Sequence, residues 1–502
     1  MRSSWMPSAS RGLVATIVAA ALACVAIWQL EARRAGLEIT TRSVGETPVT
    51  RYAQDEADGP VVVVAHGFAG SRQIMQAYST DLARAGYRVW AFDFLGHGRH
   101  PQPMSGDVDS LDGTTRMLVE QTRTVVEAAK DAEDWGGAVA LLGHSMATDI
   151  IIRTALADER VGPLVAISAF SQAVTETEPE TLLLISGQWE PGLRGFARDA
   201  VAMVGAGAGE GQTARAGDVV RRAVVAPWAE HVAVLHSRAG RAEAVAWLDA
   251  AYDRESDVQI RATGPWLMAL MGAIVALAWP LARLLPDTAP PVPRPLGAGS
   301  FAAVLAVPAL LVPLLAVQVE VTVLPVLVAD YLALHLALYG ILQLAILWWL
   351  GLRPAGLRVL AVLALLAWGL GVFGFALDRY GANFWPTPER MAIIVALALG
   401  ALPFMLADAT LTGGGRAPLW QRVSARLVFL GSLVLAVLLD TDRLFFLAMI
   451  GPVILLFFLI YGLMGRWAAV RAGPASAGVA LGLILAWALG VSFPLFAPGG
   501  AG

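Results

Sequence analysis

A serine stands between small residues in Gly143-His144-Ser145-Met146-Ala147, directly after the apolar run AVALL (138–142) and directly before the helical pattern TDIIIRTALADER. Where a strand turns straight into a helix around a serine, the bend is so tight that bulky flanking side chains would clash, so the neighbours must be small. The hydroxyl then sits at the amino end of a helix, whose partial positive charge favours a developing anion. The chemistry this offers is nucleophilic attack by an activated serine. Thiol chemistry and structural zinc are excluded, because the single cysteine, Cys24, lies inside an apolar run with no second cysteine beside it. No metal and no cofactor is expected.

A serine so presented needs a rigid sheet behind it. The runs VVVVA (61–65), YRVWAFDF (87–94), AVALL (138–142), PLVAIS (163–168), TLLLISG (181–187) and RAVVA (222–226) are short and apolar or β-branched. Helical patterns at 73–85, 114–131, 146–158 and 239–253 separate them. Strands alternating with helices predict an α/β fold, a mostly parallel sheet with helices on both faces. In such a sheet, sites form at the carboxyl ends of the strands. The spaced glycines at 205, 207, 209 and 211 follow a helical pattern instead of a strand, so they predict a flexible loop and not a dinucleotide site.

With its strand, turn and helix, GHSMA resembles the nucleophile elbow of the α/β-hydrolase family, in which GHSMG is commoner. His66-Gly67-Phe68, at the end of VVVVA, is similar to the family's His-Gly oxyanion turn, and Asp93-Phe94-Leu95-Gly96-His97-Gly98 to its D-x-x-G-H-G turn. The resemblance covers roughly residues 40–260. It implies a serine hydrolase with Ser145 as nucleophile and the backbone N–H groups of Phe68 and Met146 as oxyanion donors. The family order of serine, acid, histidine puts the acid on Glu190, three residues after the strand TLLLISG, where Asp is more usual and a solvated loop glutamate is the alternative. It puts the base on His231, after RAVVAPWAE, with His236 as its competitor five residues on. His97 and His100 are expected to be surface or turn histidines, and Asp149 to favour the start of the elbow helix by its charge.

The 502 residues are 57% hydrophobic and only 15% charged, which excludes a wholly soluble chain. Residues 31–262 hold 32 acidic and 22 basic residues, while 263–502 hold 8 and 12. A net charge of −4 without a basic stripe excludes nucleic acid as a partner. Residues 12–30 form an uncharged run after Arg2 and Arg11, long enough to span a bilayer. It reads as an uncleaved signal anchor, since its apolar part outlasts a signal-peptide core. ALAC (21–24) resembles a lipoprotein cleavage box, but Ala21 stands where a larger aliphatic residue is usual.

Apolar runs near 265–285, 300–318, 329–350, 357–377, 391–411, 424–439, 444–464 and 476–496 predict eight further spans, an all-α transmembrane bundle. The Pro-rich stretch DTAPPVPRPLG (287–297) reads as an extended linker. The loops at 283–298, 351–358, 412–426 and 465–475 carry nine Arg and one acid, and those between them three Arg and five acids. The positive-inside rule makes the Arg-rich loops cytoplasmic. A separate span at 319–328 would reverse that parity. The expected organisation is an N-terminal cytoplasmic tail and anchor (1–34), an extracytoplasmic α/β-hydrolase domain (35–262) and a membrane domain (263–502) that resembles no recognised family. Lys130 is the only lysine, which fits a GC-rich bacterial genome and hence a bacterial plasma (inner) membrane.

About 12 residues separate PLVAIS from TLLLISG, where many family members insert a lid, so a lidless, shallow site is expected. The function these features predict is hydrolysis of an acyl ester, lipidic substrates included, through an acyl-enzyme, with the substrate and the bilayer as partners. A peptidase, thioesterase or acyltransferase with the same three residues is the alternative within enzymes. A transporter or scaffold with a non-catalytic, sensing hydrolase-like domain is the alternative outside them. Asp330 and His335 interrupt one span, either as part of a polar path or as a packed polar pair, while Asp408 is expected to snorkel at its span end.

Overall fold

The computed structural model describes residues 9–107, 110–291 and 296–497. The N-terminal tail at residues 1–8 and residues 292–295 of the Pro-rich stretch lie outside the described residues. The chain forms two compact units. One, here the helical unit, holds the described residues up to Val25 with Ala269–Leu377 and Phe384–Phe493; the other, the sheet unit, holds Ala26–Met268, Asp378–Asn383 and the described residues from Pro494.

The sheet unit follows the first helix, α1 (Ala9–Ala32), and contains nine strands: β1 (Leu37–Val44), β2 (Thr47–Gln54), β3 (Val61–Ala65), β4 (Arg88–Phe92), β5 (Val139–His144), β6 (Val161–Ile167), β7 (Thr181–Gly187), β8 (Thr213–Ala216) and β9 (Val219–Ala226). Their order is β1-β2-β4-β3-β5-β6-β7-β9-β8. The run from β4 to β9 is parallel, while β1, β2 and β8 are added antiparallel at the two sides. Successive side chains of a strand point to opposite faces, and the apolar strands use both. Val61, Val63, Leu141, Leu182 and Leu184 join the core under α3 (Arg116–Ala132), α4 (Met146–Ala157) and α5 (Pro191–Ala202). Val62, Val64, Leu142, Leu183 and Ile185 join the core under α2 (Gln76–Arg84) and α6 (Arg238–Ala251). The central strands therefore read as unbroken apolar runs, whereas β1 (LEITTRSV) is largely exposed and carries no such signal.

Three buried charges tie α1 to this unit. Asp81 in α2, only 1% exposed, accepts hydrogen bonds from the guanidinium groups of Arg33, just past α1, and of Arg241 in α6. Burial pushes Arg33 below its ordinary value, and Asp81 opposes that shift.

Among the described residues nine helices are long and apolar enough to cross a membrane: Gly12–Ala32, Gly264–Ala282, Ala298–Ala316, Ala329–Trp349, Val359–Tyr380, Pro388–Leu411, Leu419–Leu439, Leu447–Ala472 and Pro474–Ser492. By the length and composition of these helices the chain is a multi-pass membrane protein. Residues 319–328 form bends and turns instead of a further span, and Val328 takes φ 58° at the start of the next helix. The short run 424–439 is the later part of a longer helix whose first turns carry Trp420, Arg422 and Arg426.

Inside the helical unit His335, Asp330 and Asp408 have polar partners, whereas the buried Tyr339 hydroxyl has no hydrogen-bond partner among the described residues. His335 lies with Nε2 2.9 Å from Ser432 Oγ and Nδ1 3.2 Å from Tyr331 Oη, all buried. Asp330 accepts from the backbone N–H groups of Val323 and Leu324 at 3.1 and 2.9 Å, capping the chain that precedes its helix. Asp408 does not snorkel. It is buried, with Arg426 3.7 Å away.

Replacing Asp81 with Asn would leave Arg33 and Arg241 buried together without a counter-charge. Breaking such a buried set typically costs about 3–5 kcal/mol, so we expect Asp81→Asn to lower the denaturation midpoint of the sheet unit in the detergent-solubilised full-length protein. Tryptophan fluorescence against urea would measure it.

Candidate active site

At the carboxyl end of β5 the chain reverses into α4 through Ser145, whose backbone lies at φ 55°, ψ −121°. This is a sparsely populated conformation for a residue other than glycine. It is held from several sides: the Ser145 N–H donates to Ile167 O at 2.9 Å, and the Ser145 carbonyl accepts from the Thr148 N–H at 2.8 Å and its hydroxyl at 2.7 Å. Gly143 cannot be larger, since a Cβ there would come within 2.9 Å of the Ala147 carbonyl oxygen. Ala147 itself is fully buried in the sheet core, so the Ala in place of the commoner Gly is accommodated by packing.

The turn carries Ser145 Oγ to 2.9 Å from His231 Nε2. His231 comes from the chain after β9, and its Nδ1 lies 2.6 Å from Glu190 Oε1. That contact sets the tautomer: Nδ1–H donates to the carboxylate, which leaves Nε2 to accept from the serine hydroxyl. Glu190 ends the chain after β7, with Pro191 opening α5 behind it. Its second oxygen accepts from the Ser168 hydroxyl at 2.7 Å and the Gly187 N–H at 2.6 Å. Burial acts most strongly on this carboxyl and would raise its pKa. The hydrogen bonds from His231, Ser168 and Gly187 outweigh burial and hold the pKa below the usual carboxylate range.

Across from Ser145 lies the turn after β3. A Cβ on Gly67 would meet Ser145 Cβ at 3.0 Å, so the turn approaches the serine as closely as a glycine permits. Phe68 follows, and Met146 is the first residue of α4, where a backbone N–H is not consumed by the helix ladder. His66 is fully buried and serves this turn instead of the serine. Its Nε2 accepts from the Phe94 N–H at 3.1 Å and its Nδ1 lies 2.8 Å from Gly67 O. Burial lowers its pKa, which keeps it neutral.

Residues 56–190 match a family model described as serine aminopeptidase, S33. The sheet unit has the α/β-hydrolase fold. Among solved structures it is similar to a predicted CIB-like hydrolase from Thermoplasma acidophilum, at 15% identity over 43% of this chain and 98% of that one, with a TM-score of 0.34. It is also similar to a dienelactone hydrolase from Anabaena variabilis, at 18% identity over 43% and 97%, with a TM-score of 0.32.

Several residues of the hydrolase unit lie apart from the serine. His236, the competitor for the base, sits with Nδ1 3.1 Å from Thr263 Oγ1, and burial pushes its pKa to about 4. His97 and His100 are buried rather than on the surface: His97 Nδ1 lies 2.9 Å from Leu95 O, and His100 Nε2 3.3 Å from Thr47 Oγ1. Asp149 makes discrete contacts, to Arg153 at 2.7 Å and the Ser171 hydroxyl at 2.6 Å.

Two residues escaped the sequence reading. Ser168, at φ 52° just past β6, anchors Glu190, and its place at a strand's carboxyl end was the available signal. His144, inside the GHSMA motif, lies with its ring 4.9 Å from that of His231 and its Nε2 2.8 Å from the His231 carbonyl oxygen. It thereby fixes the backbone of the histidine that faces the serine. Burial, assisted by the neighbouring His231, pushes the His144 pKa down to about 4. In the unfolded chain a histidine titrates near 6.5. The folded state therefore binds fewer protons between those values, and stability is complete above about pH 6.5 and declines toward pH 4. His144→Asn should make that decline shallower by about one proton, measured as the pH dependence of the thermal midpoint.

Proposed function

We propose that this protein is a membrane-bound serine hydrolase that cleaves acyl esters, lipidic ones included, through an acyl-enzyme. The observation that carries this reading is the continuous line from Ser145 Oγ through His231 to Glu190, at 2.9 and 2.6 Å. In this reading Ser145 attacks the ester carbonyl while His231 Nε2 takes its proton. Glu190 orients the ring and stabilises the imidazolium. The backbone N–H groups of Phe68 and Met146 donate to the tetrahedral oxyanion, with the amino end of α4 adding its dipole. His231 then returns the proton to the departing alkoxide, and water activated by the same ring releases the acid.

Two features support an acyl substrate. Trp189 and Trp228, flanking Glu190 and His231 in sequence, are 57% and 76% exposed and pack edge to face with ring centroids 6.4 Å apart. The connection 169–180 carries no helix or strand that could act as a lid. An open site with an aromatic rim suits a bulky apolar acyl group more than a small polar one. The description of the matched family, a serine aminopeptidase, favours peptide cleavage as the second reading.

The extracytoplasmic side of a bacterial plasma membrane is the proposed location of the hydrolase unit. The alternation of Arg-rich and acidic loops supports it. The chain after the first, fifth and ninth apolar helices enters the hydrolase unit each time, which fits a count of spans that leaves all three segments on one side.

Intact cells treated with a membrane-impermeant fluorophosphonate should label the wild type and not Ser145→Ala. In the purified protein Glu190→Gln should lower kcat by about 10³–10⁴-fold, because the imidazole loses its orienting carboxylate. Labelling only after lysis would move the unit to the cytoplasmic side, and turnover confined to aminoacyl amides would favour the peptidase. If the Trp pair docks the acyl group, Trp228→Asn, which tolerates the observed φ of 58°, should raise KM for a long-chain ester about fivefold. KM for the acetyl ester should stay unchanged.

A further inference from the structure

Two pieces of the chain far downstream of the sheet are built into the hydrolase unit, Asp378–Asn383 and the described residues from Pro494 to Ala497. Both meet the turns that back the oxyanion donor. Arg99, just past the D-x-x-G-H-G turn, donates through Nη2 to both Asp378 oxygens at 2.8 and 2.6 Å and through Nε to Asn383 Oδ1 at 3.0 Å. The backbone N–H of Arg99 donates to Asp93 Oδ2 at 2.9 Å. Asn383, itself buried, donates its backbone N–H to Ser71 Oγ at 3.1 Å and its amide to Gly98 O at 3.4 Å. One residue thus bridges the turn at 93–98 and the turn at 66–71. From the other side the Leu495 N–H donates to Gly96 O at 2.8 Å, the Met104 N–H to Leu495 O at 3.0 Å, and the Ala497 N–H to Met104 O at 2.7 Å. Leu495, Phe496 and Met104 are all buried there.

What these contacts hold is the floor under Phe68. The His97 ring packs edge to face on Phe68 with centroids 5.6 Å apart, and lies tilted against His66 at 5.3 Å. Asp93 accepts from the Arg72 backbone N–H at 2.7 Å and pairs with its guanidinium, joining the two turns a second time. A planar guanidinium that grips a carboxylate through Nη2 and an amide oxygen through Nε fixes direction as well as distance, and an oxyanion donor acts only if it is placed where charge develops.

We propose that Asp378 and Asn383, through Arg99, and the Leu495–Ala497 segment are positioning elements of the hydrolytic reaction. They set the Phe68 N–H against the tetrahedral intermediate formed on Ser145. This inference rests on the serine-hydrolase reading above. It assigns a role to segments outside the stretch matched by the family, and makes the hydrolase unit incomplete without them.

The test uses the full-length protein in detergent. Reacted serine is first titrated with a fluorophosphonate, so that kcat for p-nitrophenyl butyrate is expressed per competent site and misfolded protein does not count. Loss of one oxyanion donor costs about 10²–10³ in kcat, so displacing one should cost about tenfold. Arg99→Met, Asp378→Asn and Asn383→Ala should each lower kcat per titrated serine by about that factor with KM within about twofold. Asp378→Glu, which keeps the carboxylate, should recover most of it. Wild-type kcat per site in Arg99→Met and Asn383→Ala, or a change in KM alone, overturns the positioning role while leaving the hydrolase intact. If Arg99→Met yields no titratable serine, Asp378→Asn against Asp378→Glu decides by the same ratio. Ester hydrolysis that survives Ser145→Ala removes the serine-hydrolase reading and this inference with it.

Discussion

Ser145 holds a backbone conformation that costs a non-glycine residue about 1–3 kcal/mol, and the site exists only because the surroundings insist on it. β5 is the middle of the parallel run, paired with β3 on one side and β6 on the other. The serine N–H is taken by Ile167 of β6, its carbonyl by Thr148 of α4, and its Cβ is faced by Gly67 from the β3 turn. Three neighbouring elements therefore determine one residue. Relaxing the turn would move Oγ away from His231, so the serine hydroxyl, the imidazole and the amino end of α4 are aligned by the same constraint.

Around that turn, charge is buried only where donors converge on it. Glu190 accepts from the His231 ring, the Ser168 hydroxyl and the Gly187 N–H, contributed by the chain after β9, the chain after β6 and the last residue of β7. Those bonds outweigh the desolvation that would neutralise it, and an ionised partner is what holds an imidazole in one tautomer. Asp81 between Arg33 and Arg241, and Asp93 against Arg72, follow the same rule deeper in the unit. Exposed pairs such as Arg123 with Glu120 add little by comparison.

The helical unit answers a different solvent. Lipid offers no hydrogen bonds, so a polar group inside a span must be satisfied by the protein. His335 with Ser432 and Tyr331, Asp330 with the Val323 and Leu324 amides, and Asp408 near Arg426 all obey that requirement. Asp330 bonds the loop before its helix and His335 the hydroxyls of Ser432 and Tyr331, so the two polar residues of this span have separate partners.

Features that depend on local periodicity were legible in the amino-acid order. Unbroken apolar runs marked the buried parallel strands, a serine between small residues marked the strand-to-helix turn, and long uncharged runs marked the spans. β1, β2 and β8 were not legible, although β1 pairs with β2 and β8 with β9 as sequence-adjacent hairpins, because β1 shows no apolar alternation to betray it and β8 is only four residues long. Glu190 and His231 could be picked out only by likeness to a family, since nothing local separates His231 from His236. Only the tertiary structure distinguished them, by bringing one ring to Ser145 and the other to Thr263. The same holds for Ser168, and for Asp378 and Asn383, nearly three hundred residues from the Arg99 and Gly98 they grip. Periodicity is written in neighbouring residues, whereas convergence on one point is a product of sheet register and chain crossing, which no short stretch of sequence contains.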